Sequence, residues 1–161
     1  FEMVQESCSP YEATKSSCGR CDPNDEAVTY KSENYRFVGG AYGGSNERNI
    51  MMEIKQNGPV VMSFEPAYDF MYYRGGVYKS YVPRYVKNHQ SRPEWERVDH
   101  SVLCYGWGET EKGEKYWLLQ NSWGKDWGEE GSFRMARGYD ESAVESLAEA
   151  ADPVRIEKKG G

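Results

Sequence analysis

The sequence predicts an α+β fold in which an antiparallel β-sheet makes up most of the structure. Apolar segments of strand length alternate with glycine-rich turns between residues 98 and 135, which is typical of strands joined by hairpins. The 161 residues include 17 Gly and 7 Pro, so turns are frequent. Helical periodicity is clear only in residues 46–57, and residues 140–151 are predicted as a second short helix or coil.

The helix over residues 46–57 has recognisable ends and one apolar face. Ser45 is of a residue type that caps helix N-termini, and Gly58 is a stop signal. Ile50, Met51 and Ile54 are spaced three and four residues apart, so they share one side of the helix.

The remaining apolar segments are predicted as short strands, and the polar segments between them as turns or loops. The predicted strands are residues 35–38, 60–65, 76–78, 98–107, 116–123 and 132–135. Residues 79–97, which include His89, are expected to form a long surface loop. We therefore divide the chain into a disulfide-pinned loop segment (1–34), a sheet lobe (35–151) and a tail (152–161).

Length and charge limit the classes of protein to which this chain can belong. A chain of 161 residues suffices for one globular domain or one large piece of a domain. The net charge of −6 argues against a nucleic-acid partner, and no apolar run approaches the roughly 20 residues of a membrane-spanning helix. The chain begins at Phe1 without an apolar signal region, so we expect proteolytic processing or an expression boundary at this point.

The cysteines fall into two groups. Cys8, Cys18 and Cys21 lie in one polar, turn-rich segment typical of an extracytoplasmic disulfide framework, whereas Cys104 lies in an apolar run and is predicted to be buried. Because the ring closed by Cys18 and Cys21 would be very short, we expect Cys8 to pair with Cys21 and Cys18 to bond a cysteine outside this chain. The turn chemistry around residues 18–21 disfavours a thioredoxin-like redox pair, and the spacing of the two histidines disfavours a zinc site.

His100 and Asn121 are the candidate catalytic pair. If the hairpin turn is centred between Thr110 and Glu111, the numbers of cross-strand partners sum to about 221, which places His100 opposite Asn121. Successive residues of a strand point to opposite faces, so Asp99 is a poor partner for the ring of His100.

A histidine held by a side-chain amide can act as a general acid and base with a fixed tautomer. Trp123 and Trp127 follow Asn121 closely and would exclude water from the pair. An amide partner suits a thiol nucleophile better than a serine, and no G-x-S-x-G elbow occurs in the chain. The alternative is that His100 is structural and that Asn121 only completes a turn.

Two long segments of the sequence resemble segments of a known protein family. Residues 98–108 (VDHSVLCYGWG) and 116–131 (YWLLQNSWGKDWGEEG) closely resemble the histidine and asparagine segments of papain-like cysteine peptidases. Residues 37–44 (FVGGAYGG) and 140–148 (DESAVESLA) resemble the dipeptidyl peptidases of the cathepsin C type within that family. The resemblance implies a papain-like fold, with this chain as the C-terminal part of the peptidase domain and mainly its β-sheet or barrel lobe.

The same resemblance implies roles for individual residues. His100 is expected to be the catalytic imidazole, Asn121 to orient its ring, and Trp123 to shield the hydrogen bond between them. Trp127 and Asp99 are expected to support the site.

Two further residues match pocket positions of the family. Leu147 falls where an apolar residue lines the pocket for the second substrate residue from the scissile bond. Phe37 falls where a tyrosine hydroxyl helps to hold a chloride ion, so chloride binding is in doubt here. No metal and no organic cofactor are expected.

The segment that carries the family's nucleophile, QxxxCGxCW or QxxxCGxCY, does not occur in this sequence. We therefore expect another chain or an upstream segment to supply the cysteine and the oxyanion glutamine, and we expect this chain alone to be inactive.

The resemblance implies a dipeptidyl exopeptidase that acts through an acyl-thioester, with peptide substrates, an exclusion domain and a possible oligomer. A lysosomal, vacuolar or secretory location is expected. The alternatives are a papain-like endopeptidase and a catalytically dead peptide-binding protein.

Overall fold

The computed structural model describes residues 2–4, 8, 29–81 and 98–156. The described residues form one α-helix, α1 (Glu47–Asn57), and short 3₁₀ turns at Tyr68–Tyr72 and Glu141–Ala143. The strands are β1 (Glu2–Val4), β2 (Thr29–Phe37), β3 (Val60–Phe64), β4 (Val77–Tyr78), β5 (His100–Glu109), β6 (Lys115–Gln120), β7 (Ser132–Ala136) and β8 (Leu147–Ile156). The mainly-sheet α+β prediction is confirmed.

The chain divides into two compact units, and the larger one spans Arg36–Ala150. Its strands are ordered β8, β3, β5, β6, β7, β4. Neighbouring strands from β3 to β7 run antiparallel, as predicted for residues 98–135, whereas β4 pairs with β7 in parallel. In this unit β5, β6 and β7 pair in chain order, whereas the β3–β8, β3–β5 and β4–β7 pairs join segments that lie far apart along the chain.

The smaller unit contains the described parts of Phe1–Tyr35 and Ala151–Gly161. Here β1 runs antiparallel to β2, with Glu2 opposite Lys31, and the Asn34 amide donates to the Asp152 carboxylate at 2.9 Å. These strands lie partly in segments predicted as a loop (1–34) and a tail (152–161), and residues 147–151 are strand where the sequence predicted a helix or coil. Strand pairing between distant segments overrides the polar local composition.

Helix α1 is confirmed, but its cap is one residue further along than predicted. The Asn46 side chain accepts from the Asn49 amide at 3.1 Å, whereas the Ser45 hydroxyl donates to the Glu145 carbonyl at 2.8 Å. Gly58, with φ of 104°, ends the helix by donating to the Ile54 carbonyl.

The core lies on one face of the sheet. Its fully buried large side chains include Trp117, Phe64, Phe70, Phe133 and Ile50 of α1. Cys104 is also fully buried, as the sequence predicted. No helix within the described ranges is long and apolar enough to cross a membrane.

Candidate active site

The β5–β6 hairpin positions the candidate site, but not in the predicted register. The residue numbers of cross-strand partners sum to 224 from Gly106 to Glu109 and to 223 at Cys104 and Leu103. A bulge between Cys104 and Gly106 causes this change. The predicted sum of 221 is therefore wrong. The turn is longer than predicted, because the Thr110 amide donates to the Glu114 carbonyl at 2.9 Å and closes a five-residue loop.

His100 and Asn121 nevertheless meet. Nε2 of His100 lies 2.9 Å from Oδ1 of Asn121. His100 begins β5, whereas Asn121 lies one residue beyond the end of β6, so the contact forms where the ladder has ended. Asn121 is 8% exposed, and its backbone amide donates to the Gly131 carbonyl at 2.9 Å.

A second donor identifies the Asn121 atom that faces the histidine. The Ser122 backbone amide donates to the same Oδ1 at 2.8 Å, and an N–H group requires an acceptor at that position. Because Oδ1 accepts, Nε2 of His100 must carry a proton and donate it. The proton-exchanging nitrogen of the neutral ring is then Nδ1.

The imidazole of His100 packs between two aromatic side chains. Its centroid lies 5.0 Å from the Trp123 ring at an interplanar angle of 33°, and 5.4 Å from the Phe64 ring at 75°. Phe70 lies behind Trp123 at 5.6 Å. These contacts partly bury the imidazole, and low local polarity strengthens its hydrogen bond to Asn121.

Several contacts fix the position of the loop that carries Trp123 and Trp127. Trp127 is 9% exposed, its ring lies 5.0 Å from that of Trp123, and its indole N–H donates to the Met71 carbonyl at 3.3 Å. Further along the loop, Glu129 accepts two hydrogen bonds from the Arg134 guanidinium and one from the Gly76 amide. The Arg134 hydrogen bonds hold the pKa of Glu129 below its usual value.

Asp99 does not contribute its side chain to the His100–Asn121 contact. The residue is exposed, and its backbone amide donates to the Phe64 carbonyl at 3.2 Å. Asp99 therefore helps to hold the start of β5 against the end of β3.

The two predicted pocket residues lie in different surroundings. Leu147 is 5% exposed at the start of β8, where it is paired with Ser63 of β3. Phe37 is partly buried at the end of β2 and packs edge-to-face on Tyr42 at 5.4 Å. Their roles in substrate and chloride binding stay predictions.

Sequence reasoning missed a buried carboxylate beside Leu147. Glu145 is 6% exposed and accepts from the Trp117 indole at 2.9 Å, from the Gly138 amide at 2.5 Å and from the Asp140 amide at 3.0 Å. In return, the Glu145 amide donates to the Asp140 carboxylate at 2.9 Å. This network holds residues 138–146, in which Asp140, Ser142 and Ala143 all have positive φ. The sequence signal was weak: a glutamate directly after Val144 and two residues before Leu147.

Two of the four cysteines lie among the described residues. Burial raises the pKa of the Cys104 thiol to about 12. Cys8 is disulfide-bonded. Cys18 and Cys21 lie outside the described residues, as do His89 and the tail 157–161, so the predicted pairing and loop stay predictions.

The site can therefore exchange a proton through Nδ1 of a histidine whose tautomer is set by an amide. Neither Cys104 nor Cys8 is a reactive thiol. No group of three or more His, Cys, Asp and Glu side chains in the described part of the chain is arranged to hold a metal ion.

Comparison of the sequence with protein-family profiles identifies the family to which this chain belongs. Residues 1–151 match the profile described as papain family cysteine protease. The chain belongs to the papain family of cysteine peptidases. Solved structures agree with this fold: digestive procathepsin L 3 of Tenebrio molitor larval midgut matches with a TM-score of 0.70 and 29% identity over 92% of this chain and 43% of that one.

Three curated relatives of this papain-family chain are described by name, identity and coverage. Cathepsin C of Schistosoma mansoni is 37% identical over 96% of this chain and 33% of its own length. Dipeptidyl aminopeptidase 1 of Plasmodium falciparum is 36% identical over 80% of this chain and 20% of its own length. Human tubulointerstitial nephritis antigen is 43% identical over 66% of this chain and 23% of its own length. The chain thus spans about a third or less of these curated relatives.

Proposed function

We propose that this chain provides the acid–base half of a cysteine-type dipeptidyl exopeptidase. The observation that carries the proposal is the 2.9 Å contact between His100 Nε2 and Asn121 Oδ1, with the Ser122 amide on the same oxygen. The name of the Plasmodium relative, dipeptidyl aminopeptidase 1, supports the dipeptidyl specificity, and the match to the Schistosoma cathepsin C agrees with the resemblance of residues 37–44 and 140–148.

The proposed reaction proceeds in two steps. A cysteine thiolate attacks the carbonyl carbon of the second peptide bond of the substrate, and the C–N bond breaks as Nδ1–H of protonated His100 gives its proton to the leaving amine. The dipeptide is then held as a thioester. Nδ1 removes a proton from a water molecule that attacks this thioester, which releases the dipeptide acid and restores the thiolate and the imidazolium.

Asn121 and Trp123 have supporting roles in this scheme. Asn121 fixes the ring so that Nδ1 rather than Nε2 takes part in both proton transfers. Trp123 packs on the ring and keeps water from competing for the Asn121 hydrogen bond. The ring therefore need not reorient between the two steps, which favours proton transfer.

The nucleophile is proposed to come from another chain or an upstream segment, together with an oxyanion glutamine. The family's nucleophile motif is absent from this sequence. Cys104 is fully buried, and Cys8 is disulfide-bonded. An exclusion domain that captures the substrate amine, and a possible oligomer, complete the proposed enzyme.

Two further features of the proposal concern the environment. A disulfide at Cys8 suits an oxidising compartment, so we place the protein in a lysosomal, vacuolar or secretory compartment. Phe37 has no hydroxyl that could donate to an anion, which argues against a chloride requirement. The pairing of Cys8 with Cys21 and of Cys18 with another chain also belongs to this proposal.

The test compares two dipeptidyl reporters on the native complex that contains this chain. One reporter has a free N-terminal amine, and the other is acetylated. We expect cleavage of the free reporter alone, abolished by a thiol-directed inhibitor and by His100→Ala. His89→Ala is the matched control, because it removes the other histidine of the chain and should leave the rate unchanged.

Other outcomes distinguish the alternatives. Cleavage of both reporters would replace the exopeptidase with an endopeptidase. Cleavage of neither, in a complex whose partner chain carries an intact cysteine motif, would favour a peptide-binding protein without activity.

A further inference from the structure

The loop that follows β6 is closed at its base by a tight turn of residues 129–132. The loop begins at Asn121, whose backbone amide donates to the Gly131 carbonyl at 2.9 Å. Gly131 belongs to the turn, because Glu129 and Ser132 exchange two backbone hydrogen bonds of 2.8 and 3.0 Å on either side of it. The position of the 129–132 turn therefore determines where the backbone of Asn121 lies.

The Glu129 side chain attaches this turn to two other elements of the larger unit. Its Oε2 accepts from Nε of Arg134 in β7 at 3.0 Å, and its Oε1 accepts from Nη2 of Arg134 at 2.5 Å. Oε1 also accepts from the Gly76 backbone amide, just before β4, at 3.0 Å. A two-point contact between guanidinium and carboxylate fixes orientation as well as distance. The carboxylate can therefore hold the turn in one position.

Tyr73 completes a ring of contacts around the Glu129 carboxylate. The Tyr73 hydroxyl donates to the Gly76 carbonyl at 2.7 Å and accepts from the Arg134 backbone amide at 3.2 Å. Both residues that bond the carboxylate are thus bonded to Tyr73 as well. Because the Tyr73 ring lies 5.6 Å from the Trp127 ring, these contacts extend to the loop itself.

The backbone between Trp127 and Glu129 has little freedom to absorb a shift. Gly128 has a φ of 62°, and a Cβ at this position would lie 2.6 Å from a backbone carbonyl oxygen. The Trp127 ring lies 5.0 Å from that of Trp123, which in turn lies 5.0 Å from the His100 ring. Closely packed side chains transmit displacements, so a shift of Glu129 would reach the indole that packs on the histidine.

We infer that Glu129 is a positioning residue that holds the 129–132 turn where Asn121 and Trp123 can orient and cover the His100 ring. This inference rests on the proposed peptidase function. Glu129 acts through the loop and not on the substrate. The Arg134 hydrogen bonds hold the pKa of Glu129 below its usual value, so the carboxylate stays ionised in a mildly acidic compartment.

The test measures kcat and KM of the native complex for a free-amine dipeptidyl reporter. Glu129→Gln keeps the size of the side chain, but it removes the charge and places an amide N–H group against a donor. It should lower kcat about tenfold and change KM by less than about twofold, because a small misplacement of the catalytic pair slows the reaction while substrate contacts remain. Glu47→Gln is the matched control, because it alters another Glu–Arg pair, with Arg137, outside the loop. It should change neither constant.

Nitrogen NMR of the His100 ring distinguishes positioning from a general loss of stability. The measurement is made with the nucleophile thiol blocked, at a pH at which the imidazole is neutral. The proton should lie on Nε2 alone in the unmodified complex and in Glu47→Gln, whereas Glu129→Gln should show a mixture of Nε2–H and Nδ1–H tautomers. A single Nε2–H tautomer in folded Glu129→Gln, or a fall in kcat no larger than that of Glu47→Gln, would overturn the inference.

Arg134→Lys covers the case in which Glu129→Gln does not fold. Lysine keeps the positive charge but loses the two-point contact, so this variant should lower kcat about threefold and show a smaller share of the Nδ1–H tautomer. An unchanged kcat with a single tautomer would again overturn the inference. Failure of the unmodified complex to cleave the reporter would instead overturn the proposed function. The NMR comparison would still report on the ring in that case, so the two failures are distinguishable.

Discussion

His100 donates from Nε2 to Oδ1 of Asn121 across 2.9 Å, beyond the last paired residues of the β5–β6 ladder. The contact is thus made by a side chain at the start of one strand and by a turn residue after the next. Its geometry depends on the turn after β6 as much as on the sheet, since the Ser122 amide holds the same oxygen.

Replacing Asn121 by alanine should lower kcat of the native complex on a dipeptidyl reporter by about a hundredfold, with KM changed little. Without the amide oxygen, the imidazole can rotate and exchange tautomers, but the substrate contacts remain. Ser122→Ala is the matched control, because it keeps the backbone N–H that donates to Asn121. Equal losses of kcat in both variants would contradict the orienting role of the amide.

Glu145→Gln should destabilise the protein by about 2–3 kcal/mol, measured as the free energy of unfolding in denaturant. The carboxylate accepts from three N–H groups, and one of its oxygens would become an amide that faces a donor. Glu111→Gln, in the exposed hairpin turn, should cost almost nothing. Similar losses in the two variants would show that the buried network does not stabilise the fold.

The Glu129–Arg134 ion pair should make stability depend on pH in the acid range. The Arg134 hydrogen bonds lower the pKa of Glu129 from 4.5 in the folded state. Its contribution, about 1 kcal/mol, is therefore complete above the unfolded pKa and is lost as the pH falls through the lower folded value. Glu129→Gln should flatten this part of the stability curve, whereas Glu130→Gln, at an exposed neighbour, should leave it as it is. A curve unaltered by Glu129→Gln would rule the pair out as its source.

Cys104 should resist alkylation in the native protein. Burial raises its thiol pKa to about 12 from 9.0, so at pH 8 iodoacetamide should react on the order of a thousandfold more slowly than with an unperturbed thiol. Mass spectrometry of the digested protein measures the modification, and unfolding in denaturant before labelling is the control that should restore it. Rapid labelling of Cys104 without denaturant would contradict its buried position.

Local signals predicted most elements, because helix caps, apolar spacing and glycine turns act within a few residues. Helix α1 and the β5–β6 hairpin are examples, although the cap fell on Asn46 instead of Ser45. The parallel pairing of β4 with β7 was not predictable, since nothing in Val77 and Tyr78 specifies a partner more than fifty residues away.

The site shows both the strength and the limit of register arguments. The pairing of His100 with Asn121 was predicted from cross-strand residue numbers that sum to 221. The observed sums are 223 and 224, because the turn spans five residues and a bulge follows Cys104. The contact survives since it lies beyond the ladder. The 2.9 Å contact between the Ser63 and Ser101 hydroxyls was not predicted, because it follows from the β3–β5 register, which no local pattern encodes.

The hairpin that holds His100 and Asn121 also has a consequence for assembly. The two residues are 21 positions apart along the chain, so closing the short loop between them brings them together without waiting for distant segments. Hairpins of this kind form in microseconds, far faster than two chains dock. In the proposed enzyme, His100 and Asn121 would be brought together early in folding, and the onset of activity would depend on the later arrival of the nucleophile.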